Sequence, residues 1–149
     1  CERLTELCLC KFSIAIPKMA GLEELRLRAN GVDRWPEIWR LAGLRRLDVS
    51  ENKLTEVPQA LCGMPALESL AMDANELEEV PGCLGSMAAL RQLSLCDNKI
   101  RQLPRELLLS PSLTFIGVAR NPVAEELSFF RELAEERRSL DLPTLGIDV

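Results

Sequence analysis

LESLAMDAN, residues 67–75, has the same skeleton as LRRLDVSEN at 44–52 and LRQLSLCDN at 90–98. In each, Leu stands at positions 1 and 4, an apolar residue at 6 and Asn at 9, while the letters between them change. Working outward, copies start at Leu22, Leu44, Leu67, Leu90 and Leu113, with periods of 22, 23, 23 and 23 residues. Position 6 is Leu27, Val49, Met72, Leu95 and Val118, and position 9 is Asn30, Asn52, Asn75, Asn98 and Asn121. An apolar-Pro pair follows at Trp35-Pro36, Val57-Pro58, Val80-Pro81 and Leu103-Pro104, and a second apolar pair such as Leu61 and Met64 closes the unit. Self-similarity at this period is the mark of a stacked repeat array.

Each recurring residue has a physical task. Positions 4 and 6 lie two apart, so on a short strand both face one side while positions 3, 5 and 7 face the other. One such strand cannot bury its apolar side alone. Stacking the next copy beside it makes a parallel sheet over a continuous leucine core. The asparagine stands where the chain leaves the strand and turns inward, and its amide can both donate to and accept from buried backbone groups. Proline fixes φ and lacks an N–H, which suits an extended or turning return path.

This pattern resembles the leucine-rich repeat family over about residues 4–123, and the 23-residue period with its LxxLP return resembles the intracellular scaffold type of Scribble- and Erbin-like and plant Ras-group proteins. The resemblance implies an α/β solenoid: a horseshoe with a parallel concave sheet, irregular convex return segments and a C-terminal capping helix. Leu4, Leu7 and Leu9 begin a first unit, but Phe12 replaces the asparagine and Leu22 follows Leu4 by only 18 residues. The expected division is an irregular first repeat or cap at 1–21, repeats at 22–121, and a cap helix with tail at 122–149. In that last segment Val123, Leu127, Phe130 and Ala134 recur at helical spacing, flanked by Phe129 and Leu133. The tail 140–149 is apolar enough to dock, or to lead into a further domain.

Six cysteines invite a disulfide or metal reading. Cys10 and Cys96 both fall at position 7, but four strands apart, about 19 Å at 4.8 Å per strand, beyond disulfide or zinc-ligand reach. Cys62 and Cys83 occupy different repeat positions, 19 and 17. The expectation is therefore a right-handed solenoid with free thiols, no metal, and an intracellular, cytoplasmic setting. No run reaches the length of a membrane span, so no membrane insertion is expected.

The 149 residues carry a net charge of −5 and a pI near 4.9, which argues against nucleic acid as a partner. There is no histidine, so Ser-His-Asp and Cys-His catalysis are excluded. The glycines are scattered rather than gathered into a phosphate loop. The expected function is a non-catalytic protein–protein interaction module without a cofactor. A recognition segment of a multidomain kinase or ubiquitin ligase, or a structural subunit of a large assembly, fits the same residues, and the start at Cys1 with its worn first unit fits a chain that continues upstream.

The variable positions 3, 5 and 7 line the concave face and supply the candidate partner-binding residues: Arg26, Arg28, Arg46, Asp48, Asp73 and Phe115. Arg26 and Arg28 offer paired donors to an acidic segment of another protein, and Phe115 an apolar anchor. Equally, Arg26, Arg46 and Asp48 can neutralise one another across adjacent strands. Trp35 falls at a core position and is expected to be buried, with Trp39 showing on the convex side. Six strands of five residues give a face of about 24 by 17 Å. That is about 400 Å², half of what a partner contributes to a standard interface, so a partner must also grip a rim.

Overall fold

The computed structural model describes residues 21–125 and 127–149, and the side chains of 127–129 are left aside. The expected first unit at 1–21, with Cys1, Cys8 and Cys10, therefore lies outside the described residues but for Gly21. Five short strands carry the repeated Leu-x-apolar core: β1 (Glu24–Arg26), β2 (Arg46–Asp48), β3 (Ser69–Ala71), β4 (Gln92–Ser94) and β5 (Phe115–Gly117). A sixth, β6 (Gly146–Asp148), comes from the tail. They form one parallel sheet in chain order, and Leu25, Leu47, Leu70, Leu93, Ile116 and Ile147 stand in a single register row. Position 6 (Leu27, Val49, Met72, Leu95, Val118) is fully buried in every copy.

After each strand the chain turns inward through a left-handed residue at position 8: Ala29, Glu51, Ala74, Asp97 and Arg120, with φ between 51° and 57°. None is glycine, although an L-residue in this region costs about 1–2 kcal/mol. The turn persists because its polar groups are matched to the next copy. Glu51, Ala74 and Asp97 donate their N–H to the carbonyls of Asp73, Cys96 and Ala119. The asparagine that follows completes the match. Asn75 Nδ2 lies 3.1, 3.0 and 3.2 Å from the carbonyls of Val49, Met72 and Asp73, while its Oδ1 accepts the Leu54 N–H. Asn52, Asn98 and Asn121 repeat the arrangement, accepting from Val32, Leu77 and Ile100, and all four are buried. Asn30, at the first described turn, is half-buried and donates to its neighbour Arg28.

The ladder ends at Pro122. In earlier copies the position-10 N–H (Lys53, Glu76, Lys99) donates to a carbonyl of the preceding turn. Pro122 has no N–H, and Val123 donates to Ile100 in its place at 3.0 Å. Val123 therefore needs no asparagine from a following copy.

On the convex side Pro58, Pro81 and Pro104 are extended and lead into short helical turns: 3-10 helices Gln59–Gly63 and Gly82–Ser86, and α1 (Arg105–Leu108). These turns stack in an offset register. Gly85, at position 19 of its copy, lies so close to Glu106, at position 17 of the next, that a β-carbon would come within 2.2 Å of the Glu106 carbonyl oxygen. The same offset joins Cys62, at position 19, to Cys83, at position 17, in a disulfide with Cα atoms 5.9 Å apart. The expected absence of disulfides is thus wrong. Equal repeat positions face each other only along the strands. On a helical turn of about three residues, positions 17 and 19 lie on opposite flanks, so unlike positions of successive copies meet.

Two smaller expectations also change. Trp35 is half-buried rather than buried, like Trp39, and donates Nε1–H to the Glu56 carbonyl at 2.6 Å. In α2 (Leu127–Ser139) the inward row is Phe130, Leu133 and Arg137, while Ala134 is exposed. The tail docks as expected, through β6.

Asn75→Ala should lower stability by about 1–3 kcal/mol in urea titration, because it strands buried backbone groups. Ala74→Gly, relieving the left-handed strain beside it, should raise stability by up to about 1 kcal/mol. Peptide mapping without reduction should recover residues 62 and 83 in one cross-linked fragment, and separate alkylated fragments would contradict the offset stacking.

Candidate concave binding surface

The strands set the spacing of the candidate residues, and the parallel register sets their neighbours. Position 3 runs Glu24, Arg46, Ser69, Gln92, Phe115, Gly146, and position 5 runs Arg26, Asp48, Ala71, Ser94, Gly117, Asp148. At the β1 end Glu24 serves two arginines. It lies 2.6 Å from Arg26 within its own strand and 3.1 Å from Arg46 on the next. The hydrogen bond from Arg46, with help from Arg26, holds the Glu24 carboxyl below its ordinary range. Arg28 pairs with Glu51, whose hydrogen bond raises the guanidinium above its ordinary value, with smaller support from the charges of Asp48 and Asp73.

The expected neutralisation of Arg26 and Arg46 by Asp48 is therefore replaced by pairing with Glu24. Asp48 turns back along its own strand and accepts the Ser50 N–H at 2.9 Å. Asp73 reaches across to β4, accepting from Ser94 Oγ at 2.6 Å and from the Cys96 N–H at 2.8 Å. So Asp48 braces the end of its own strand and Asp73 ties β3 to β4, while the three arginines keep more than half of their side-chain surface exposed.

At the other end Phe115 is 39% exposed. Its ring lies 3.6 and 3.4 Å from where β-carbons of Gly117 and Gly146 would stand, so it covers two glycine backbones instead of projecting freely. Gly117 also admits the Cys96 sulfur, which a β-carbon would meet at 3.0 Å. Cys96 is a free thiol whose pKa burial pushes up, so it stays protonated above the usual pH.

The residues missed in the sequence are the carboxylate partners, Glu24 and Glu51. The repeat period was the available signal. Opposite charges recur one period apart at Glu24/Arg46, Arg28/Glu51, Arg45/Glu68, Glu76/Lys99 and Asp97/Arg120, and all five pairs form. Among the described residues there is no group of three metal-ligating side chains.

A family model described as leucine rich repeat matches residues 20–77. Solved repeat proteins superimpose on most of the chain: a leucine-rich repeat protein of Leptospira interrogans shares 26% identity at a TM-score of 0.79, over 95% of this chain. Residues 20–77 are thus leucine-rich repeat sequence, and the fold of the described chain is that of a leucine-rich repeat solenoid. The functional domain of InlJ from Listeria monocytogenes, which includes a cysteine ladder, also aligns, at a TM-score of 0.63 over 82% of this chain. At 22% identity that likeness is one of fold. The chain spans 34% of the Leptospira protein's length and 25% of the InlJ domain's. No curated protein matches the sequence.

Proposed function

We propose that this leucine-rich repeat solenoid is a non-catalytic scaffold or adaptor that binds another protein on its concave sheet and the adjoining rim. Repeat proteins of this family generally mediate protein–protein interaction. The observation that carries the finer reading is the division of labour on the sheet. One side of every strand is spent on the core, while the other presents Arg26, Arg28 and Arg46 as long, exposed side chains at one end and a flat, glycine-lined patch under Phe115 at the other.

The arginines engage an acidic segment by exchanging their partners, Glu24 and Glu51, for a carboxylate of the other protein. Exposed ion pairs contribute little to folding, so this exchange leaves the fold intact. Asp48 and Asp73 border the arginines and disfavour any acidic group placed one column too far. They belong to the proposed surface as its limit, with Phe115 as its apolar end. In the proposed division of the chain, 1–21 are an irregular first repeat or cap, residues 22–121 supply most of this surface, and 122–149 form the cap helix and a tail that adds Gly146 to it. A recognition segment of a larger enzyme would use the same face.

No helix among the described residues is long and apolar enough to cross a membrane. The Cys62–Cys83 bridge removes the ground for a cytoplasmic setting, since free thiols were the argument for it. The setting proposed instead is an oxidising one, where such bridges persist.

Arg26→Glu with Arg28→Glu should weaken capture of the partner at least tenfold, with an unchanged unfolding midpoint. Raised salt should weaken wild-type binding more than that of the double variant. A partner footprint confined to Pro58, Pro81 and Pro104 would refute the concave assignment.

A further inference from the structure

Where α2 meets the tail, the packing leaves a cleft of about 130 Å³. Leu133, Ala134, Leu145 and Ile147 line it, together with Thr144 and two arginines, Arg137 and Arg138. Arg138 is exposed, whereas Arg137 is only 3% exposed. Its Nη1 donates to the carbonyls of Leu108 and Ser110 at 2.5 and 3.1 Å, and its Nε and Nη2 to that of Pro143 at 3.2 and 2.7 Å. This single side chain thereby ties the end of α1, the helix α2 and the segment leading to β6.

Every one of those acceptors is neutral. No carboxylate among the described residues forms an ion pair with Arg137. A guanidinium has five N–H groups, and the four bonds leave one, on Nη2. A buried cation without a counter-charge is costly. Burial accordingly pushes the Arg137 pKa below its ordinary value. Such a charge, beside Arg138 and Thr144 in a largely apolar cleft, calls for an anion with a hydrocarbon body.

We propose that this cleft binds a carboxylate carried on a short aliphatic group, its oxygens held by Arg137 and Arg138 and its hydrocarbon by Leu133, Ala134, Leu145 and Ile147. The fit is one of size as well as of charge. The cleft approaches the engineered apolar cavity of about 150 Å³ that takes up benzene, so it suits a hydrocarbon body of about half a dozen carbons with its carboxylate at the arginines. Hydrogen bonds between ionised partners are shorter and stronger than neutral ones, and here the carboxylate also supplies the missing counter-charge. The Thr144 hydroxyl offers a further donor. A free short-chain acid and the carboxyl-terminal leucine of a protein share this chemistry. The site uses none of the concave residues and stands independently of the function proposed for them.

The test is a titration of the full chain, followed by the amide resonances of Leu145 and Ile147. The probes are 4-methylpentanoate, its neutral amide, and a tripeptide ending in leucine with either a free or an amidated carboxyl terminus. The acid should saturate with a Kd of about 1 mM, and the amide should bind at least tenfold more weakly. Ala134→Phe, which fills the cleft from an exposed helix position, should abolish binding while leaving the thermal midpoint in place. Should that variant fail to fold, Arg138→Gln decides: affinity for the acid should drop at least threefold and affinity for the amide stay constant. If the free-acid tripeptide binds more tightly than 4-methylpentanoate, the ligand is a protein terminus, and the reverse order points to a small acid. Equal binding of acid and amide, no saturable shift up to about 20 mM acid, or binding that survives Ala134→Phe would overturn the site.

Discussion

Turning a chain inward over a leucine core brings backbone N–H and C=O groups into a place water does not reach, and each such group left unpaired costs about 1–3 kcal/mol. In this protein one carboxamide per copy answers that problem. Each of the four buried asparagines receives an N–H from the preceding turn and donates to carbonyls of its own and the preceding copy. The next copy can therefore stack only at one height and one rotation. Sheet register and the left-handed residue at position 8 follow from that stacking. So does its ending, where Pro122 replaces the donor and Val123 takes over the bond.

A repeat built this way separates stability from recognition. The core columns and the asparagine column are spoken for, and so are most backbone groups of the sheet. What remains adjustable is the outward side of each strand. The neighbours there are residues one period apart, as in the Glu24–Arg46 pair, and Arg28 finds Glu51 on the adjoining turn. Such pairs are weak individually because they face water. Their effect is to neutralise the arginines of this face without fixing the fold.

The architecture was legible because it depends on residue types that only one arrangement satisfies: two apolar positions two apart, then an asparagine, at a fixed period. What escaped was set by geometry between copies rather than within one. Cys62 and Cys83 looked mismatched because repeat positions were compared as if all segments stacked in register, whereas the convex turns stack with an offset, as Gly85 and Glu106 also show. Arg137 escaped for a different reason. A charged residue on a helix reads as solvent-facing, and only the tertiary fold reveals the carbonyls of Leu108, Ser110 and Pro143 gathered around it. Glu24 and Glu51 stand one period from Arg46 and Arg28, a spacing at which the sequence alone points to the pairs.

The central claim is that the asparagine carboxamides, rather than the leucines alone, hold the turns closed. Native-state hydrogen exchange of the Leu54, Leu77 and Ile100 amides addresses it directly, since each donates to an asparagine Oδ1 and not to a backbone carbonyl. These three amides should exchange only through global unfolding, with the same protection as the core-strand amides of Leu70 and Leu93. Exchange at the fast rate of exposed loop amides, while the strand amides stay protected, would contradict the account.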